Sequence, residues 1–240
     1  MPGFERRCVV VTGATGNLGH AVVRAYLEAG AHVAIPVRDA VKGAALRDEL
    51  GALAGTADDP TVLIAEAELA DRGSMEAFVE RVLRAWGRLD VLANLAGGFG
   101  TGPADDLARI RALWEQNVAA VVVPSAACLV PMRARAYGRI VTISAASALK
   151  GGRNTAGYAM AKGAIVRWTE ALAAETKEQG ITVNAILPST IDHPVNRANL
   201  PKADPKTWVQ PPEAAALVLF LTSAEASGIT GTAIPLTART

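Results

Sequence analysis

Two cysteines and three histidines are all that this 240-residue chain offers to a disulfide framework or a soft metal. Cys8 and Cys128 lie far apart in apolar surroundings without metal-ligand spacing, which reads as reduced core thiols. His20, His32 and His193 are scattered, no two sharing a helix face, so no metal site is expected. Excess charge of one sign is missing too, with 24 Lys plus Arg against 23 Asp plus Glu. That balance removes the electrostatic case for nucleic acid or an anionic membrane as partner. No apolar stretch reads as a membrane span, and Val9-Val10-Val11 is too short for a signal-peptide core, so a cytoplasmic location is expected. Internal repeats and low-complexity tracts are also lacking.

What is present suits one domain over 1–240, since 50% of the residues are hydrophobic and 20% charged. Apolar runs of strand length alternate with longer segments of helical period, the pattern of an α/β fold with a doubly wound, Rossmann-type parallel sheet and helices on both faces. The strands are expected at 8–11, 32–35, 62–65, 91–93, 139–143, 182–187 and 232–235. Helices are expected at 17–29, 40–53, 73–86, 105–134 (with a break), 155–179 and 212–222. The proline-rich stretch that follows Pro188 interrupts this rhythm and reads as a short lid over 189–211.

Directly after the first strand comes Thr12-Gly13-Ala14-Thr15-Gly16-Asn17-Leu18-Gly19, leading into the first helix. Glycines there allow a tight turn and close approach to a pyrophosphate, while the helix N-terminus supplies free amides, with Thr15 or Asn17 as its cap. The second strand ends in Val37-Arg38-Asp39. Arg38 suits a 2′-phosphate and favours NADP, while Asp39 keeps NAD open. Far downstream, Tyr158 and Lys162 stand four residues apart, on one face of a helix. An ammonium beside the phenol is expected to lower its pKa toward neutrality, as proton transfer at physiological pH requires.

With these residues the chain resembles the short-chain dehydrogenases/reductases over nearly its whole length. Asn94-Leu95-Ala96-Gly97 is similar to the family's Asn-Asn-Ala-Gly turn beneath the cofactor. The resemblance gives Tyr158 and Lys162 the catalytic roles and Asn117 a place in a water-linked proton relay. It sets Pro188 and Ile191 near the nicotinamide and Glu68 and Leu69 beside the adenine. The family's serine, thirteen residues before the tyrosine, falls on Ala145; Ser144 and Ser147 flank it, and Ser144 reaches a substrate only if the strand end bulges. The Tyr158 segment and the stretch from Leu187 to Arg197 look specifically like the dihydropteridine-reductase branch, whose members also lack that serine.

The resemblance implies an NAD(P)-dependent oxidoreductase moving a hydride between a nicotinamide and a carbonyl, alcohol or imine. It also implies a small-molecule substrate and a homodimer or homotetramer built through the segments 111–134 and 155–179. Phe99, His193 and Trp208 are candidates for choosing the substrate, and Trp114 and Trp168 for the core or a subunit contact. A dinucleotide-binding sensor without turnover is the alternative, favoured by the displaced serine. A lyase or epimerase using the nicotinamide transiently is suggested by the Gly-x-x-Gly-x-x-Gly spacing. Intact Tyr158, Lys162 and Asn117 speak for turnover.

Overall fold

Seven strands join in one parallel sheet, in the order β3-β2-β1-β4-β5-β6-β7, in a computed structural model that describes residues 3–56 and 59–239. They are β1 (Cys8–Thr12), β2 (His32–Val37), β3 (Val62–Glu66), β4 (Val91–Asn94), β5 (Gly138–Ile143), β6 (Ile181–Pro188) and β7 (Ala233–Leu236). The central strands β1, β2, β4, β5 and β6 are buried at every position. That follows from helices covering both faces, which is why these segments read as continuous Val/Ile/Leu runs rather than alternating ones. Edge strands β3 and β7 are only partly buried, and β7 accommodates Pro235.

The helices are α1 (Asn17–Glu28), α2 (Ala40–Leu50), α3 (Arg72–Trp86), α4 (Leu107–Trp114), α5 (Ala120–Ala134), α6 (Ala156–Thr176), α7 (Pro194–Asn199) and α8 (Pro211–Thr222). One core layer packs α1, α2 and α8 on the sheet through residues such as Val22, Tyr26, Leu46 and Val218. The other packs α3, α5 and α6 through Phe78, Val82, Met132 and Leu172. Cys8 and Cys128 are free and buried, and burial pushes both thiols up to about 12.

Three differences from the sequence reading have local causes. First, β2 runs on through Pro36, because β1 pairs with β2 only as far as Val10 opposite Ala34. The neighbouring residues Val33 and Val37 bond toward β3, so the proline's missing N–H faces the side that β1 has already left. Second, the expected break in the long helix is a π turn, Glu115–Ala119, that joins α4 to α5 without interrupting them. The resulting helix, Leu107–Ala134, is long and apolar enough to cross a membrane by length and composition, contrary to the sequence reading. Its apolar window is 61% buried inside the fold, packed against its helical neighbours. Third, the stretch expected to be irregular contains α7, where Pro194 occupies the first turn and His193 Nδ1 accepts from Val195 N.

Candidate active site

A cleft of about 1600 Å³ opens at the carboxyl ends of the strands, beside the point where strand order reverses around β1. Its floor is the glycine turn. Gly13 has φ +69°, and a Cβ there would lie 2.7 Å from Ala96 N. At Gly19 a Cβ would overlap Gly13 O and Ala14 Cα, whereas at Gly16 its nearest neighbour is Gly13 O at 3.4 Å. Two of the three glycines are therefore dictated by backbone contact, and Gly16 is not. Thr12 Oγ1 accepts from Leu95 N and Ala96 N, each at 3.2 Å, and ties the β4 turn to the glycine turn.

The N-cap of α1 is Gly16 without a side-chain cap, not Thr15 or Asn17 as the sequence suggested. The first amides of the helix therefore remain available to an anion, and no acidic residue in the first turn opposes one. The Asn17 amide is used elsewhere, donating to Asp192 O at 2.7 Å and joining the phosphate cradle to the lid. Asp192 in turn holds Arg197 through paired bonds of 2.6 and 2.7 Å, which keep its carboxyl below the usual range.

Along the cleft stand Thr15, Leu18, Arg38, Glu68, Leu69, Ala96 and Gly97. Asp39 also borders it, but its Oδ1 accepts from Val41 N and Lys42 N and caps α2. One of its two oxygens is thus engaged, while Arg38 and Lys42 contribute positive charge at the same end. Sequence reasoning missed Lys42, although Asp39 followed by a helical segment is a readable cap signal that sets Lys42 in the first turn.

At the opposite end are Tyr158, Lys162, Pro188, Ile191 and His193. Burial pushes the Tyr158 phenol up to about 12 and Lys162 down to about 8. Lys162 Nζ lies 5.8 Å from the Tyr158 ring centre and donates to Ile143 O at 3.1 Å. The expected lowering of the phenol toward neutrality is absent in this arrangement, because burial disfavours the phenolate. Phe99 meets the Tyr158 ring edge to face, with centroids 5.1 Å apart.

Three expected site residues sit differently. Asn94 is fully buried beneath the cleft, donating to Ser125 Oγ at 2.9 Å and Thr142 Oγ1 at 3.4 Å, so it supports the sheet rather than contacting a cofactor. Asn117, in the π turn, is fully buried as well; Oδ1 accepts from Gly98 N, and Nδ2 donates to Gly98 O and Leu113 O. Its side chain holds the Gly97-Gly98 segment and backs Lys162, since a Cβ at Gly97 would stand 2.8 Å from Asn117 Oδ1 and 3.3 Å from Lys162 Nζ. Ser144 borders the cleft one residue past the end of β5, and its N still donates to Ile186 O as the ladder would. Its hydroxyl is turned to α6, donating to Lys162 O at 2.9 Å.

Of the aromatic candidates for substrate choice, Trp208 is buried and packs within the lid, Phe99 is exposed at the mouth, and His193 caps α7 at the wall. Trp168 packs on the core, whereas Trp114 is 40% exposed and is not a core residue. Among the described residues no group of three or more His, Cys, Asp or Glu comes together as a metal site.

The cradle of backbone-limited glycines, the uncapped α1 N-terminus and the cationic rim fit a nicotinamide dinucleotide. Comparison with known proteins agrees. The family model described as short chain dehydrogenase matches residues 7–204. The chain is 29% identical to levodione reductase of Leifsonia aquatica, over 97% of this chain and 93% of that one. It is 30% identical to the 3-oxoacyl-acyl-carrier-protein reductase of Escherichia coli strain K12, over 95% and 94%. The crystal structure of levodione reductase superposes with a TM-score of 0.87 at 28% identity, covering 98% of this chain and 97% of that one. A 7α-hydroxysteroid dehydrogenase complexed with NADH and 7-oxoglycochenodeoxycholic acid superposes at 0.86 with 25% identity, covering 98% and 94%. Such relatives make the protein a nicotinamide-dependent oxidoreductase working on a carbonyl/alcohol pair. A strand-turn-helix cradle, a Tyr-Lys pair on α6 and a sheet of this order, matched by family and by fold, have one reading: the chain belongs to the short chain dehydrogenase family.

Proposed function

We propose that this enzyme prefers NADPH and reduces a compact, uncharged ketone. The observation that carries the cofactor preference is the state of Asp39: its carboxylate caps α2, while Arg38 and Lys42 face the same end of the cleft. A ribose diol would meet an acceptor committed through one oxygen to the helix N-terminus, whereas a 2′-phosphate needs the cations that are present. The substrate class rests on the other end. Phe99, Gln116, Asn196, Asn199 and Leu200 border it around Tyr158, a mixture of aromatic, amide and aliphatic surface, and the ammonium at that end, Lys162, is buried and held by Ile143 O.

The bound dinucleotide supplies the hydride. Tyr158, protonated across the neutral range, donates to the developing alkoxide. Lys162, buried under the ring and held by Ile143 O, places a positive charge that makes loss of that proton less unfavourable. Asn117 keeps the Gly97-Gly98 segment and Lys162 in register. Pro188 and Ile191 would hold the nicotinamide end of the dinucleotide, and Gly13, Gly16 and Gly19 would hold its pyrophosphate. The Tyr158–Lys162 pair standing together at the cleft supports an enzyme over a sensor. We place it in the cytoplasm as a homodimer or homotetramer acting on small molecules.

The test is titration of NADPH and NADH into the purified protein, then loss of reduced-nicotinamide absorbance with cyclohexane-1,4-dione, an acetoacetyl thioester, a benzoquinone and quinonoid dihydropterin. NADPH binding at least tenfold more tightly than NADH, with oxidation by the dione, is the expected result. Quinonoid dihydropterin as the preferred substrate would assign the dihydropteridine-type activity instead. Binding without oxidation of any of the four would favour a sensor.

A further inference from the structure

The turn around Asp192, in the stretch between β6 and α8, is braced from several sides. Asp192 N donates to Val209 O and Val209 N to Thr190 O, a bridge of two backbone bonds across the lid. The Asp192 carboxylate takes both of its bonds from Arg197, and Asn196 Nδ2 donates to Ile191 O. The roots of the stretch are fixed as well, Ser189 N to Leu236 O and Arg239 N to Thr207 O. One polar group of Asp192 remains, its carbonyl oxygen. That oxygen accepts from Asn17 Nδ2 at 2.7 Å, across 175 positions of sequence.

Asn17 is the first residue of α1 and stands at the cleft between Gly16 and Gly19. The N-cap of that helix is Gly16, so α1 itself has no use for an amide at position 17. The bond instead joins two segments that line the cleft: Gly13 to Gly19, which would hold the pyrophosphate, and Pro188 to Ile191, which would hold the nicotinamide end. We propose that Asn17 is a positioning residue that latches the lid to the cradle, so that a dinucleotide enters and leaves only when this bond opens. The proposal rests on the reading of the cleft as the dinucleotide site. A neutral, partly buried hydrogen bond of this kind favours the closed arrangement about five- to tenfold. Because the latch closes on empty and loaded protein alike, it slows both directions together. It governs how long a dinucleotide stays, not how tightly it is held.

Arg197 offers a second handle on the same bond. Its guanidinium fixes the Asp192 turn, yet its side chain is exposed and does not line the cleft, so its removal loosens the far end of the latch without taking away a dinucleotide contact.

The experiment is stopped-flow fluorescence of NADPH and NADH binding to the parent, Asn17→Ala, Arg197→Ala and the double variant, with thermal unfolding to show that each is folded. Expected in Asn17→Ala are association and dissociation rate constants both raised about five- to tenfold, with Kd within about twofold of the parent. Arg197→Ala should move both rates in the same direction, and the double variant should be no faster than the faster single one, because the two changes open one latch. If Asn17→Ala does not fold, Arg197→Ala alone decides. Faster dissociation with unchanged association, and so a weaker Kd, would make Asn17 a direct dinucleotide contact and overturn the proposal. Unchanged rates in either single variant, or effects that multiply in the double variant, overturn it too, and each of these outcomes leaves the cleft as the dinucleotide site. A parent that binds neither dinucleotide overturns that reading and the proposal with it.

Discussion

The hydroxyl of Ser144 donates to the backbone oxygen of Lys162 at 2.9 Å, and the ammonium of Lys162 donates to the oxygen of Ile143, the residue before that serine, at 3.1 Å. This reciprocal pair fastens the end of β5 to the second turn of α6. It sets the height of Tyr158 over the cleft, one helical turn earlier. Both bonds are buried, so the ammonium is anchored but poorly solvated.

That arrangement predicts a conflict between stability and activity at Lys162. Its folded pKa of about 8 lies below the ordinary 10.5, so between those values the unfolded chain binds more protons and stability rises with pH. At neutral pH the full burial cost is present. Lys162→Met removes it at the loss of the bond to Ile143 O, and the dinucleotide-free protein should gain about 1–2 kcal/mol while turnover disappears. Denaturant unfolding of both proteins at neutral and at alkaline pH checks this; a less stable Met variant would contradict it.

The same group shapes the rate profile. Tyr158, held at about 12, remains a proton donor throughout the neutral range. Reduction should therefore stay level up to about pH 8 and decline above it as Lys162 loses its charge. In Lys162→Arg, whose guanidinium stays charged, the residual activity should show no decline near that pH. Initial rates at saturating substrate across the range decide the matter.

Cofactor choice should turn on one side chain. Arg38→Ala should weaken NADPH binding about 10- to 100-fold and leave NADH binding within about threefold, because the lost contact is a charge pair with the 2′-phosphate alone. Parallel fluorescence titrations read it, and equal weakening of both dinucleotides would assign Arg38 a different place.

The three glycines of the cradle should not be equivalent. Gly19→Ala forces a Cβ into Gly13 O and Ala14 Cα, backbone atoms with nowhere to go, and should cost about 2–3 kcal/mol together with dinucleotide binding. Gly16→Ala meets only Gly13 O at 3.4 Å and should fold normally. Thermal unfolding with and without NADPH separates the two.

Sequence made the cradle and the Tyr158–Lys162 pair legible because both are local: a strand feeding a glycine turn, and a four-residue step along one helix. The sheet followed from the alternation of apolar runs and helical periods. What stayed hidden depends on partners distant in the chain. The direction of Ser144 is settled by pairing with β6, where Ser144 N meets Ile186 O. Asn94 could be placed near the cofactor, but only the approach of Ser125 and Thr142 shows that it points beneath the cleft. Trp208 sits in a proline-rich run with no period, so its burial was not readable, and the raised pKa of Tyr158 depends on walls from several elements. Asp39 is the exception: its capping role is written locally, in an acidic residue directly before a helical segment.

The π turn at Glu115–Ala119 lets one rod serve two masters. Before it, α4 lies against α6; after it, α5 lies against α3. The extra residue in that turn works like a phase shift between two gear trains on a single axle. Deleting one residue there would preserve the length and character of each half almost unchanged, yet bring their contact stripes into line and leave one of the two neighbouring helices unmeshed. Such a variant should lose the grip on Gly98 and the seating of Lys162 together, even though neither residue was touched.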